Sequence, residues 1–198
     1  MPCSLVRLFV LLVLATAVPA VIAQTDPPGR VGRVSLSSDG VTLKIGDAVA
    51  TGGTALNWPV STGAEIATGR AARAEVRVGS TAIRLNGDTT LEFAELSDER
   101  IWLRLARGSI ALSVRNAEHA AEMTVDTVQG RIRFDGAGQY RVDANAAMAS
   151  VSATAGTARI EGLGLIVAPG ERIQFFGGAD RNYVAGRTVN DEFGQWVL

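Results

Sequence analysis

His119 is the sole histidine of the chain, so any imidazole chemistry would rest on it. It stands in NAEHAAE between two strand-like runs, and no G-x-S-x-G turn supplies a serine for it to activate. It reads as an exposed loop histidine. Asp126, Asp135 and Asp143 carry the oxygen chemistry of a calcium site, but a predicted strand over residues 139–142 separates them, and they read as turn and strand-end residues. Zinc and iron sites are excluded by the single histidine and the lone Cys3, which leaves with the N-terminal segment. Glu92, Glu95, Asp98 and Glu99 are close enough in sequence to suggest a hydrolytic carboxylate pair, yet they sit at a strand end and read as a solvated acidic turn. Gly162-Leu163-Gly164 and Gly177-Gly178 lack the helix a phosphate loop opens into. The sequence therefore assigns no catalytic residue, no metal ligand and no cofactor-binding residue.

Arginine and tryptophan carry the remaining chemistry. Arg73, Arg77, Arg84, Arg104 and Arg115 fall on the outward phase of alternating runs, where a row of guanidiniums can grip carboxylates or phosphates bidentately. Glu75 and Glu92 share those runs, so cross-strand ion pairs are the simpler account. Trp102 also falls on the polar phase, opposite to Ile101, Leu103 and Leu105. It is expected under a loop or under the segment containing Phe193 and Trp196, or else at a partner surface. The candidate interaction surface is Arg73, Arg77, Arg84, Trp102 and Arg104.

The elements that position these residues are strands. Apolar residues take every second place at Ala74, Val76, Val78; Ile83, Leu85; Leu91, Phe93; Ile101, Leu103, Leu105; and Ile110, Leu112, Val114. Side chains of a strand alternate between faces, so each run has a buried and a wet side. Further runs cover residues 31–36, 41–45, 123–128, 130–134, 139–142, 149–153, 157–160, 163–167 and 172–176. Turn signals separate them at Asn86-Gly87-Asp88, at residues 135–138 (Asp-Gly-Ala-Gly) and at Ala155-Gly156. Ser37-Ser38-Asp39-Gly40 predicts a hairpin between the first two runs. Residues 116–122 are expected to make one helical turn, and residues 191–198 to begin a helix. STAIRLNGDTTLEF with WLRLARGSIAL is echoed by GRIRFDGAGQYRV with ASVSATAGTARI, each passing a glycine, Gly108 or Gly156. The fold class is all-β: a compact antiparallel β-sandwich or short β-roll with two similar halves.

Nineteen basic residues, all arginine but Lys44, balance twenty acidic ones, which argues against a nucleic-acid footprint. Arg7 and an apolar run over residues 8–18 read as a signal peptide cleaved after Ala23, because about 20 apolar residues are needed to span a bilayer. The exported chain would then carry no stable membrane span and no cysteine. Domain boundaries are expected at 1–23 (signal), 24–30 (linker), 31–178 (β domain) and 179–198 (C-terminal extension).

STGAEIATGRAARAEVRVGSTAIRLNGDTTLEF, then LRLARGSIALSV, then TVDTVQGRIRF, GQYRV, VSATAGTARI and IVAPGERIQF together resemble the FecR domain over roughly residues 31–178. The resemblance implies a periplasmic domain. The family's best-known members join it, through a spanning helix, to a cytoplasmic segment that regulates a sigma factor. Only residues 1–6 precede Arg7, so that role does not carry over. The chain resembles instead exported FecR-domain proteins, some of which continue past a segment like VNDEFGQWVL. The reading is an exported, periplasmic or cell-envelope, non-enzymatic module that binds a protein or envelope polymer, with a sensory or regulatory role implied by the resemblance. The alternatives are an envelope hydrolase acting on glycan or peptide, and a structural module carrying a further C-terminal region.

Overall fold

The alternating runs do form strands, and their glycines decide where each strand turns. The computed structural model describes residues 29–177 and 182–197. The signal segment, its cleavage point at Ala23 and Gly178 lie outside the described residues. In chain order the strands are β1 (Gly32–Ser37), β2 (Val41–Ile45), β3 (Ala48–Thr51), β4 (Pro59–Val60), β5 (Ala64–Thr68), β6 (Ala74–Val78), β7 (Thr81–Leu85), β8 (Thr90–Leu96) and β9 (Ile101–Val114). Helix α1 (Ala117–Glu122) follows, then β10 (Met123–Thr127), β11 (Gly130–Ala144), β12 (Met148–Ile160), β13 (Leu165–Val167), β14 (Glu171–Phe176), β15 (Tyr183–Arg187) and helix α2 (Glu192–Val197). A 3-10 turn over Gly52–Ala55 links β3 to β4.

Strand pairing resolves into two layers. The first runs β3-β2-β5-β8-β9-β10-β11-β12-β13, and the second runs β4-β1-β6-β7-β9-β11-β12-β14-β15. Strands β9, β11 and β12 belong to both. Residues 101–107 of β9 lie in the first layer against β8 and β10, and residues 108–114 lie in the second against β7 and β11. Most pairings are antiparallel, but β9 and β10 run parallel, with α1 as the crossover. Inward side chains of both layers, among them Leu103, Leu105, Ile110, Leu112, Phe134, Val142, Val151 and Phe175, make one apolar core.

The long strands change layer at glycine. Gly108 holds φ +94°, Gly136 +112° and Gly156 +78°. These are conformations that cost an L-residue free energy and glycine very little. At Gly108 the apolar phase of β9 resets, from Ile101, Leu103 and Leu105 to Ile110, Leu112 and Val114, so the core face continues around the bend. Thr89 fills the inside of that bend: its hydroxyl donates to the Ser109 carbonyl at 3.2 Å and accepts from the Ser109 N–H at 3.0 Å. Tyr140 fills the second bend, donating to the Gly136 carbonyl at 2.8 Å and packing on Phe134 at 4.7 Å between centroids.

These bends correct two sequence expectations. Residues 130–134 and 139–142 are one strand, as are 149–153 and 157–160, because a glycine bend keeps the backbone pairing where a turn would end it. Ser37-Ser38-Asp39-Gly40 makes no hairpin. Gly40 does take a positive φ of +82°, but β1 pairs with β4 and β6 while β2 pairs with β3 and β5, so the turn arches between layers. The echoed stretches around Gly108 and Gly156 lie side by side, each spanning both layers.

Candidate functional site

The outer face of the first layer is a grid of paired charges around one tryptophan. Register alone aligns Lys44, Glu65, Glu92, Arg104, Asp126 and Arg131 opposite one another across β2, β5, β8, β9, β10 and β11. Glu65 opposite Glu92 would be a repulsive pair, and Lys44 and Arg104 flank it. Arg104 reaches Glu92 at 2.6 Å, and Arg131 donates to both oxygens of Asp126 at 2.6 and 2.8 Å. A second row aligns Glu95, Trp102, Thr124, Arg133 and Arg159.

Trp102 sits where these rows meet. Its Nε1–H donates to Asp126 Oδ2 at 3.0 Å, and the guanidiniums of Arg104 and Arg131 lie 5.6 and 5.5 Å from its ring centroid. Each is within cation–π range. With Arg100, Thr124, Arg131 and Arg133 it lines a shallow groove of about 300 Å³. The Arg131 hydrogen bonds hold the Asp126 carboxyl below the ordinary aspartate range; burial opposes them and the Trp102 N–H assists. Asp126 in turn raises Arg131. Both therefore keep their charges at neutral pH, so the groove presents fixed charge and a π-face rather than a proton shuttle. Trp102 is half-buried and flanked by arginines, and the Phe193 and Trp196 segment lies over the other layer.

Those aromatics cover the second layer. Ala111 is on the outward phase of β9 yet only 3% exposed, because α2 lies over it. Arg141 donates to both oxygens of Asp191 at 2.7 and 2.8 Å and lies 5.2 Å from the Phe193 ring centroid. Arg73 pairs with Glu192 at 2.7 Å and lies 5.1 Å from the Trp196 centroid, while Arg84 donates to the Val197 carbonyl at 3.3 Å. Beneath them Glu75 accepts from Ser35, Arg77 and Arg84 at 2.6, 2.9 and 2.8 Å. Burial raises the Glu75 pKa, but these donors outweigh it and leave it lowered.

The five candidate surface residues thus divide between two faces. Trp102 and Arg104 share the first; Arg73, Arg77 and Arg84 share the second. Sequence reasoning missed Arg131, Arg133 and Asp126 as neighbours of Trp102, because parallel pairing of β9 with β10 leaves no mark on alternation. It also missed Arg141 with Asp191, a contact between positions fifty apart. His119 lies half-buried in α1, 3.3 Å from the Ser80 hydroxyl, rather than exposed in a loop. Asp135 pairs with Arg159, and Asp143 accepts from Ser109 and Arg141 on the second layer, so the three aspartates do not converge. Among the described residues no group of three or more His, Cys, Asp or Glu is placed to hold a metal. No described helix is long and apolar enough to cross a membrane.

Residues 64–159 match the model of the family described as FecR protein. That span runs from the start of β5 to one residue short of the end of β12, and so takes in the Trp102 groove and the layer-crossing bends of β9, β11 and β12. The fold is similar to the crystal structure of a protein from Parabacteroides distasonis ATCC 8503 described as a candidate anti-sigma factor. The match has a TM-score of 0.55 and 18% identity, and covers 67% of this chain and 63% of that one. No curated protein matches significantly.

Proposed function

We propose, on the premise that residues 64–159 are a FecR domain, that this chain is an exported, cell-envelope binding module that engages a protein partner through the outer face of its first layer. The signal-peptide reading of residues 1–23 supports a location beyond the inner membrane. The observation that carries the proposal is Trp102, half-buried on the outer face of the first layer, hydrogen-bonded to Asp126 and flanked by two guanidiniums. A rigid aromatic bordered by arginines is the composition enriched at interaction hot spots. The reading is non-enzymatic, in keeping with the family and the fold neighbour. The family and the fold neighbour support a sensory or regulatory role within that reading.

Capture from envelope extract with the tagged exported chain tests this when wild type is run beside Trp102→Ala. The expected result is a partner retained by wild type and depleted at least about tenfold by the variant, the loss typical of a central aromatic anchor. Equal recovery by both, or turnover of a glycan or peptide by the wild-type chain, would overturn it.

A further inference from the structure

The second layer presents a different surface, independent of the Trp102 face, and it already holds a peptide. The six residues of α2 are too few to be stable as a helix alone, so α2 exists because the groove beneath it supplies contacts. Those contacts are of a defined kind. Asp191 accepts from the Gly194 N–H at 2.8 Å, capping the helix, while both its oxygens accept from Arg141 Nη1. Two positions on, Phe193 is 2% exposed against the floor. Glu192 takes Arg73 from outside, its side chain 88% exposed.

The fit is incomplete. A cavity of about 70 Å³ remains between α2 and the sheet, bordered by Ala111, Tyr140, Ser152, Phe193 and Val197. That is room for more than one water. The chain leading into α2 is held by backbone pairing of β15 with β14 and not by buried side chains. All five residues of β15 are exposed, on both of its faces, and Val189 is 48% exposed. A short helix with one buried anchor, an exposed approach and a void beneath it belongs to the low-stability end of a fold.

We propose that the outer face of the second layer is a docking groove for a partner's short helical segment carrying an acidic residue two positions before an aromatic one, and that residues 191–197 occupy it in cis as a displaceable latch. Arg141 reads the acid, the pocket over Ala111 takes the aromatic, and Arg73 and Arg84 take flanking carboxylate or the exposed helix carbonyls. A partner side chain larger than Phe193 would also fill the void. Because the latch competes from within the same chain, a free segment binds with apparent affinity reduced by the fraction of time the latch is open.

The test uses the full exported chain. A fluorescein-labelled peptide VNDEFGQWVL is titrated by anisotropy into wild type and into the double variant Asp191→Ala with Phe193→Ala, which removes the latch and leaves the groove. The peptide should bind the double variant at least about tenfold tighter than wild type, a latch open a tenth of the time or less. Adding Arg141→Ala should abolish the gain, and a peptide lacking the Asp and Phe should not bind. Equal binding to both chains, no binding to a folded double variant, or a wild-type dimer formed by exchanging α2 between copies would overturn the proposal. Hydrogen exchange on the unaltered chain decides the matter if the double variant does not fold. Amides of α2 should exchange orders of magnitude faster than those of β11, and equal protection would show α2 to be core rather than latch.

Discussion

Gly108 shows how one residue fixes the architecture. Its φ of +94° turns β9 between layers, and a Cβ there would lie 2.3 Å from Thr89 Oγ1 and 2.4 Å from Thr89 Cα. Gly108→Ala should therefore cost roughly 3 kcal/mol or more, strain and overpacking together, read as a shift in the urea midpoint. Glu75 makes a second residue-scale case, because its side chain is 11% exposed and anchors two arginines. Glu75→Gln should cost about 2 kcal/mol at neutral pH by leaving part-buried guanidinium charge uncompensated. The folded pKa of Glu75 lies below its ordinary 4.5, so its contribution is full above that value and is lost as pH falls through the lower folded one. Wild type and Glu75→Gln should accordingly converge in stability in acid, and a difference that persists at the lowest pH would contradict the assignment.

At the scale of elements, alternation made most strands legible, since Ile101 to Leu105 and Ile110 to Val114 each announce a buried face. What it cannot express is connection. Gly136 and Gly156 look like turn glycines in sequence, yet here they bend continuous strands, and a turn and a bend use the same positive φ. β15 went unread because a strand exposed on both faces has no apolar alternation. Helix α2 was expected from residues 191–198, but not which surface it would cover. That surface follows from Asp191 and Arg141, and it makes α2 acid-labile. Burial raises the Asp191 pKa, but Arg141 and the Gly194 N–H outweigh it and hold it below the ordinary 3.8. The pair stabilises α2 fully above pH 3.8 and is lost as pH falls through the depressed value. Indole emission from Trp196 should stay constant from neutral pH down to that range and change below it, with no such step in Trp196→Phe. A step near pH 6 would point to a different anchor.

At the scale of the whole molecule, two layers sharing three strands explain how the described body holds together without a disulfide. The layer-crossing strands make the sheets covalently continuous, so neither can slide over the other while the core stays packed. They also give the two outer faces different characters: one carries an open charge grid around Trp102, the other is partly covered by α2. Outward arginines were legible on both, but their division between faces was not, because it depends on which strand joins which layer. The central claim is that the open face is where a partner binds in the envelope. Site-specific photocrosslinking in cells tests it most directly, with the crosslinker placed at Arg133 beside Trp102 and, as a control, at Val49 on the β3 edge. A discrete protein adduct at position 133 that disappears in the Trp102→Ala background is the expected result. Absence of an adduct at 133, or the same adduct from Val49, would contradict it.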